Sequence, residues 1–104
     1  MFVKFLAVVS PRAGVGLAEL APLRRAEADY VWSHYVTGVV REFYHRTDKL
    51  GAVLILEIDD AQTGHRVLDG LPMLQAGLLT YELLSLAPFT LIADLFGDDA
   101  EAEA

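Results

Sequence analysis

The chain has 104 residues, which is the size of one small domain, and it contains no cysteine, which excludes disulfides and thiol chemistry. Its net charge is −7, so nucleic acid and anionic membranes are expected to be poor partners. No apolar run approaches the ~20 residues that a membrane span needs, and we expect a cytoplasmic protein.

The first predicted element is a strand from Phe2 to Ser10. Its residues are mainly β-branched and aromatic, and Pro11 ends it. Lys4 interrupts the apolar run and no basic segment precedes it, so a signal peptide is not expected. The pattern indicates a buried strand, and the glycine-containing stretch 11–16 is predicted to be a loop.

A helix is predicted over residues 17–37, with Gly38 at its C-terminal stop. Pro22 lies inside this stretch, so either the regular helix begins there or the helix is kinked there. Steps of three and four residues place one stripe of side chains toward the sheet: Leu23, Glu27, Tyr30, Val31 and His34.

The middle of the chain predicts a β-hairpin. Strands over 39–46 and 51–58 are joined by the short polar turn 47–50. The run Asp59-Asp60-Ala61-Gln62, with an acid at the cap and Gln62 three residues on, is typical of a helix start. This second helix is predicted to end near Leu71, before Pro72.

The last predicted strand covers residues 78–86. An apolar helical segment follows over 89–96, and Gly97 closes it. The final residues, 98–104, carry four of the fifteen acidic side chains and are predicted to form a disordered tail.

The element order β-α-β-β-α-β predicts an α+β fold of ferredoxin-like type, with a four-stranded antiparallel sheet in one domain over residues 1–97. Both faces of the sheet are apolar: in the third strand Val53 and Ile55 point one way, while Leu54 and Leu56 point the other. Two helices cover only one face, so we expect a second copy of the chain on the other. The alternative is that the C-terminal segment folds over that face.

Glu27 is the main candidate for chemistry. A carboxylate on an apolar helix stripe is costly to desolvate, and a raised pKa suits a general base. Tyr30 and His34 share the stripe and are candidates to hydrogen-bond Glu27 or a ligand. The alternative is a partly solvated Glu27 paired with an arginine.

The second strand is unusually polar. Arg41 is a candidate to bind a ligand carboxylate, and Tyr44 and His45 are further candidates for substrate binding. Alternation predicts that Arg41, Phe43 and His45 share one face of the strand. The alternative is an edge strand whose charges discourage stray pairing.

Other site types are disfavoured. The three histidines lack a metal-ligand spacing, so no metal is expected. Gly14-Val15-Gly16 begins like a dinucleotide fingerprint, but Glu19 stands where the third glycine belongs. The third strand has none of the aromatic residues that RNA-binding domains of this fold use for stacking.

These features together resemble the muconolactone isomerase-like family of dimeric α+β barrels. The resemblance runs from the first strand to about Phe89. It rests on the hairpin and on the following residues in order: Leu23, Glu27, Gly38, Arg41, Gly51 and Leu71-Pro72. Within the family, residues 40–57 are most similar to a subgroup of bacterial proteins.

The resemblance implies sheet-to-sheet dimers or larger rings, a pocket between sheet and helices, and no metal or organic cofactor. It implies a proton-shift isomerase acting on an unsaturated lactone or enone. Glu27 and Arg41 match family positions and suit the acid/base and the anchor of an anionic group. In the hypothesis built on this match, His34 acts beside Glu27, and Tyr30, Tyr44 and His45 bind substrate. The isomerases differ at Val40, Glu42 and Tyr44, where they carry an aromatic residue, a histidine and a tryptophan. Oxygenation or cyclisation of an aromatic metabolite, and non-catalytic ligand binding, remain as alternatives.

Overall fold

A computed structural model describes residues 2–97, so the predicted disorder of the acidic tail concerns residues outside the described part. The elements in chain order are β1 (Val3–Pro11), α1 (Leu17–Leu20), a 3₁₀ turn (Ala21–Leu23), α2 (Arg24–Val36), β2 (Val40–His45), β3 (Ala52–Ile58), α3 (Ala61–Asp69), α4 (Pro72–Gln75), β4 (Leu79–Ser85) and a 3₁₀ segment (Thr90–Phe96).

The four strands form one antiparallel sheet in the order β2-β3-β1-β4. This order and the helical crossovers confirm the predicted ferredoxin-like α+β fold. The polar strand β2 lies at one edge of the sheet and β4 at the other. Within residues 2–97 the longest helix has 13 residues, too few to cross a bilayer.

Pro22 divides the predicted first helix into three pieces. It lies in the 3₁₀ turn between α1 and α2, because proline has no N–H to continue an α-helical ladder. The regular helix therefore begins at Arg24. It ends at Val36, and Gly38 follows with a φ of +87°, a backbone conformation that favours glycine.

The second predicted helix has the expected start but an earlier end. The Asp60 carboxylate accepts a hydrogen bond from the Thr63 N–H at 2.8 Å, which caps α3. The helix stops at Asp69, and Pro72 then begins the short helix α4, which the sequence pattern did not predict. Proline is favourable in a first turn, where its missing N–H has no partner to lose.

The core lies between the helices and one face of the sheet. Alternate strand residues point into it, as the pattern predicted for β3, where Leu54 and Leu56 are buried. The buried residues are Phe5, Ala7, Val9, Leu20, Val40, Leu54, Leu56, Ile58, Leu68, Leu71 and Leu79. The opposite side of the sheet, here called the outer face, presents partly exposed apolar side chains: Leu6, Val8, Val53, Ile55 and Leu84.

The C-terminal 3₁₀ segment does not cover the outer face. Its side chains remain open to solvent, with Leu95 74 % and Phe96 84 % exposed. The molecule is consequently 56 Å long, and its radius of gyration is 16.8 Å, compared with about 13 Å for a compact domain of this size. The alternative of a self-covering tail is therefore not realised within the described residues.

Candidate functional site

A wide cleft opens between the first helical stretch and the sheet. Its volume is about 1370 Å³, and its inner wall is apolar, with contributions from Val31, Leu54, Leu71 and Leu79. Four exposed apolar side chains form its rim: Leu17, Trp32, Phe43 and Leu50. A mainly apolar cleft with a few polar groups is the usual form of a small-molecule site.

Glu27 lines this cleft, as the helix stripe predicted. Its side chain is half-buried, and Oε1 accepts a hydrogen bond from the Met73 N–H at 2.9 Å. Burial raises the pKa of Glu27 above its ordinary value of 4.5, and the bond from Met73 partly offsets that rise. One carboxylate oxygen is thus fixed by the backbone of α4. In residues 2–97 no group donates a hydrogen bond to Oε2, so this oxygen is available for proton transfer.

Tyr30 does not line the cleft. Its hydroxyl donates to the Val67 carbonyl at 2.5 Å, which ties α2 to α3. The hydroxyl also lies directly over Gly70, where a Cβ atom would collide with it. Burial, together with the nearby carboxylates of Glu27 and Asp69, raises the pKa of Tyr30. These contacts describe a group that holds two helices together.

His34 also lies outside the cleft. Its Nδ1 is 3.1 Å from the Tyr30 carbonyl oxygen and 3.3 Å from Ser33 Oγ, within its own helix. Its ring packs on Tyr30, with the ring centroids 4.5 Å apart. His34 therefore contacts Tyr30, whereas it does not lie on the cleft wall where Glu27 is found.

Arg41 is displaced by a β-bulge. Val40 pairs with Leu56 and Glu42 pairs with Ile55, which leaves Arg41 as an extra residue without a partner in β3. It is exposed and borders a smaller pocket of about 370 Å³ beside the end of α2, away from the cleft. The predicted sharing of one face by Arg41, Phe43 and His45 is therefore wrong for Arg41, because simple alternation does not survive a bulge.

Beyond the bulge the strand returns to regular alternation. Phe43 and His45 pair with Leu54 and Ala52, and all four line the cleft. Tyr44, which pairs with Val53, also borders the cleft. The Tyr44 hydroxyl donates to Glu42 Oε1 at 2.6 Å, and this bond raises the pKa of Tyr44.

Several cleft residues were missed by the sequence reasoning. Arg24 and Arg25 precede Glu27 by three and two residues, and neither forms an ion pair with an acid in residues 2–97. The three-residue spacing places Arg24 on the same side of the helix as Glu27, so this signal was present in the sequence, whereas the two-residue spacing of Arg25 gives no such signal. Met73 was not foreseeable, because it lies 46 residues from Glu27 and meets it only through the packing of α4 on α2.

A second polar cluster lies elsewhere, between α3 and β4. The Tyr81 hydroxyl donates to Asp69 Oδ1 at 2.9 Å. His65 Nδ1 lies 2.7 Å from the Tyr81 hydroxyl oxygen. Burial and the bond to Asp69 raise the pKa of Tyr81 to about 12, so the phenol stays protonated. The cluster joins helix to strand and opens into no described cavity. Residues 2–97 contain no group of three potential metal-ligating side chains.

Comparison with known proteins bears on the fold. No protein-family model matches this sequence, and no curated protein matches it either. Among solved structures the chain is similar to 5-chloro-2-hydroxyhydroquinone dehydrochlorinase (TftG) from Burkholderia phenoliruptrix AC1100, in complex with 2,5-dihydroxybenzoquinone. The TM-score is 0.69 at 18 % identity, over 81 % of this chain and 93 % of that one.

At this identity the likeness establishes the fold alone. The sheet order and the helix placement define a ferredoxin-like α+β fold, and the chain shares its overall fold with this neighbour. The neighbour shows that this fold carries a small-molecule enzyme, whereas the muconolactone isomerase-like family itself is not established by the comparison.

Proposed function

We propose that the cleft binds a small unsaturated or aromatic molecule and that Glu27 shifts a proton next to a carbonyl group, as in a muconolactone isomerase-like enzyme. One observation carries the proposal: a half-buried carboxylate with a raised pKa, held by the Met73 N–H in the wall of an apolar cleft. A carboxylate whose pKa is raised by burial is suited to act as a general base.

The proposed step conserves atoms and electrons. Glu27 removes a proton from the carbon next to the carbonyl, the double bond moves, and the same carboxyl returns the proton to a different carbon. No oxidant and no cofactor take part. The open Oε2 atom accepts the proton, while the bond from Met73 to Oε1 fixes the orientation of the carboxylate.

The substrate-binding groups in this proposal are those on the cleft. Arg24 and Arg25 replace Arg41 as anchors for an anionic group, because Arg41 lies outside the cleft. His45 provides a hydrogen-bonding group from the strand side. The Tyr44 hydroxyl already donates to Glu42, so Tyr44 is not proposed as a donor to the substrate. Tyr30 and His34, which the sequence placed beside Glu27, are proposed to position α2.

Ring-shaped substrates are favoured by the cleft and by the structural neighbour. The aromatic side chains of Trp32 and Phe43 lie on the rim, where they offer flat surfaces to a ring. The neighbour acts on a chlorinated hydroxyhydroquinone and holds a dihydroxybenzoquinone, both of which are oxygenated six-membered rings. An aromatic ligand is also what the second candidate requires, which is cofactor-independent oxygenation or cyclisation of an aromatic metabolite. Oxygen uptake would separate oxygenation from isomerisation.

We further propose that the chain forms a homodimer through the outer faces of two sheets. The partly exposed side chains of Leu6, Val8, Val53 and Ile55 form a continuous apolar area on adjacent strands. Removing such an area from water is favourable at ~25 cal/mol per Å², and a two-fold axis brings identical faces together.

The test of the reaction is Glu27→Gln. Wild-type protein is incubated in D₂O with a panel of unsaturated lactones and enones, and deuterium incorporation is followed by NMR. Loss of a general base is expected to lower the exchange rate by about 10²–10⁴-fold. Asp29→Asn is the matched control, since Asp29 is an exposed acid of the same helix that does not line the cleft.

The outcomes are distinct. Exchange at the wild-type rate in a folded Glu27→Gln protein would remove Glu27 from the mechanism. Tight binding of a panel compound with no exchange and no oxygen uptake would instead indicate a non-catalytic binding module.

A further inference from the structure

Gly70, at the end of α3, is required by space and not by backbone conformation. Its φ is −83°, a value that any residue can adopt. A Cβ atom at this position would nevertheless collide with the Tyr30 hydroxyl and with the ring carbon that carries it. The Tyr30 side chain on α2 therefore reaches the connection between α3 and α4 at a point where only glycine fits.

The Tyr30 hydroxyl is held at this point by a hydrogen bond. It donates to the Val67 carbonyl at 2.5 Å, and the Gly70 N–H donates to the same carbonyl at 3.2 Å. One carbonyl oxygen thus joins the tyrosine to the last turn of α3. The His34 ring also packs on the Tyr30 ring, with the centroids 4.5 Å apart. Contacts at its hydroxyl and on its ring therefore fix the orientation of the Tyr30 side chain.

Glu27 contacts the same region three residues further along the chain from Gly70. Its Oε1 accepts a hydrogen bond from the Met73 N–H at 2.9 Å. Met73 lies in the first turn of α4, where backbone N–H groups have no partner within the helix. Glu27 and Tyr30 are three residues apart and so lie on the same side of α2. That side of the helix therefore contacts the region at two points, Gly70 and Met73.

The two contact points are rigidly linked. Only Leu71 and Pro72 separate Gly70 from Met73. The Leu71 side chain is 2 % exposed, and the ring of Pro72 fixes its backbone φ at about −65°. Two residues restrained in this way cannot absorb a shift of Gly70, so such a shift also moves the Met73 N–H.

We propose that Tyr30 and Gly70 are a positioning pair, whose contact holds the Met73 N–H against Glu27 and so fixes the carboxylate that acts as the base. The inference rests on the proposed function, because fixing this carboxylate matters to catalysis only if Glu27 transfers the proton. The contact itself is a property of the protein without substrate. Its test therefore needs no substrate, and it can fail while Glu27 keeps its proposed role.

Tyr30→Phe is the smallest change that tests the pair, because it removes the hydroxyl and keeps the ring. The Met73 amide resonance is followed by ¹H–¹⁵N NMR while the pH is raised through the titration of Glu27. In the wild type this resonance should shift as Glu27 ionises, since the amide proton is bonded to the carboxylate. In Tyr30→Phe the shift should be largely lost. Tyr35→Phe is the matched control, because Tyr35 lies on the same helix and its hydroxyl forms no hydrogen bond within residues 2–97.

The Glu27 carboxyl gives a second measurement on the same proteins. The hydrogen bond from Met73 lowers the pKa of Glu27 and opposes the effect of burial. Losing that bond should raise the midpoint in Tyr30→Phe above that of the wild type, as measured by carbon NMR of the carboxyl. No residue of α4 is charged. The other titratable groups nearby are unchanged in this variant: Arg24, Arg25, Tyr44 and His45 on the cleft, and Asp69 at the end of α3.

Gly70→Ala tests the other member of the pair. The added methyl group overlaps the Tyr30 hydroxyl, so the Tm should fall by about 5–10 °C. In a Tyr30→Leu background the hydroxyl and the ring are absent, and the same substitution should leave the Tm nearly unchanged. If Gly70→Ala alone does not fold, folding of the double variant would show the same rescue.

Three results would overturn the inference. A Met73 resonance that titrates in folded Tyr30→Phe as it does in the wild type would show that Tyr30 does not hold the Met73 N–H. An unchanged or lower Glu27 midpoint would show that the bond from Met73 survives without the hydroxyl. Equal losses of Tm from Gly70→Ala in both backgrounds would show that the pair is not in contact. Failure of the proposed function would appear separately, as unchanged proton exchange in Glu27→Gln.

Discussion

The two faces of the sheet carry similar residues but differ in burial, because helices cover one face and leave the other partly exposed. On β3, Leu54, Leu56 and Ile58 lie beneath the helices and are buried, whereas Val53 and Ile55 on the outer face remain partly exposed. The difference does not come from side-chain chemistry, since every one of these residues is aliphatic. It comes from the chain connections, because both long helices cross the same side of the sheet.

This contrast shows how one sheet serves two purposes. The covered face forms the core, and where the helices diverge from it the cleft opens around Glu27. Polar residues interrupt the apolar area of the outer face at its edges: Lys4, Ser10, Glu42, Tyr44, Glu57, Thr80 and Glu82. An apolar surface of this kind stabilises a protein only when a second surface covers it.

The largest expected effect is on the covered face. Leu56→Ala removes a fully buried side chain and should lower the free energy of unfolding by about 3 kcal/mol. Ile55→Ala, one residue earlier on the outer face, should cost the monomer about 1 kcal/mol or less. Urea unfolding of both variants at low protein concentration measures the difference. Equal losses would mean that the two faces are equally covered in a single chain.

The next effect concerns pairing through the outer face. Ile55→Asp places a charge in the proposed interface and should weaken the dimer by about 100-fold, equivalent to roughly 2.7 kcal/mol. Sedimentation equilibrium measures the dissociation constant. Glu82→Gln is the control, because Glu82 lies on the same face at the β4 edge and is already polar. A dimer of unchanged affinity in Ile55→Asp would place the interface elsewhere.

The smallest effect is electrostatic and belongs to the cleft side. Burial makes the pKa of Glu27 higher in the folded than in the unfolded protein, so the folded state holds this proton more tightly. The resulting stability is complete below about pH 4.5 and is lost as the pH rises through the folded pKa. The wild type should therefore lose stability relative to Glu27→Gln as the pH increases from about 4 to 8.

Unfolding free energies of the two proteins across this range provide the measurement. A constant difference between them would show that the environment of Glu27 does not favour the neutral carboxyl. Carbon NMR of the Glu27 carboxyl reports the same pKa directly and should give a midpoint above 4.5.

Much of the fold was predictable because its signals are local. Alternation of apolar residues gave the strands, and glycine and proline marked most of the ends. The helical spacing placed Glu27 toward the sheet, and the structure places it in the cleft wall. The predicted helix boundaries were wrong where the local signal of a proline is ambiguous. Pro22 lies in a 3₁₀ turn between two helices, and Pro72 begins a short helix where the sequence pattern predicted a connection to the last strand.

The candidate site was less predictable, because its partners are remote in sequence. Tyr30 shares the stripe of Glu27, but its hydroxyl is engaged by the Val67 carbonyl. Simple alternation predicted that Arg41 shares a face with Phe43 and His45. In the structure Arg41 is the extra residue of a β-bulge in β2 and lies outside the cleft. A bulge leaves no clear mark in the sequence, since it depends on the register between two strands.

The order of the elements, the two apolar faces of the sheet and the position of Glu27 on its helix were all predictable from the sequence alone, because they follow from periodicity within single segments. The packing of distant segments sets which groups surround Glu27, which arginines line the cleft and where the C-terminal 3₁₀ segment extends. Those properties depend on how segments tens of residues apart pack together, and packing is set by the shapes of all the contacting surfaces at once.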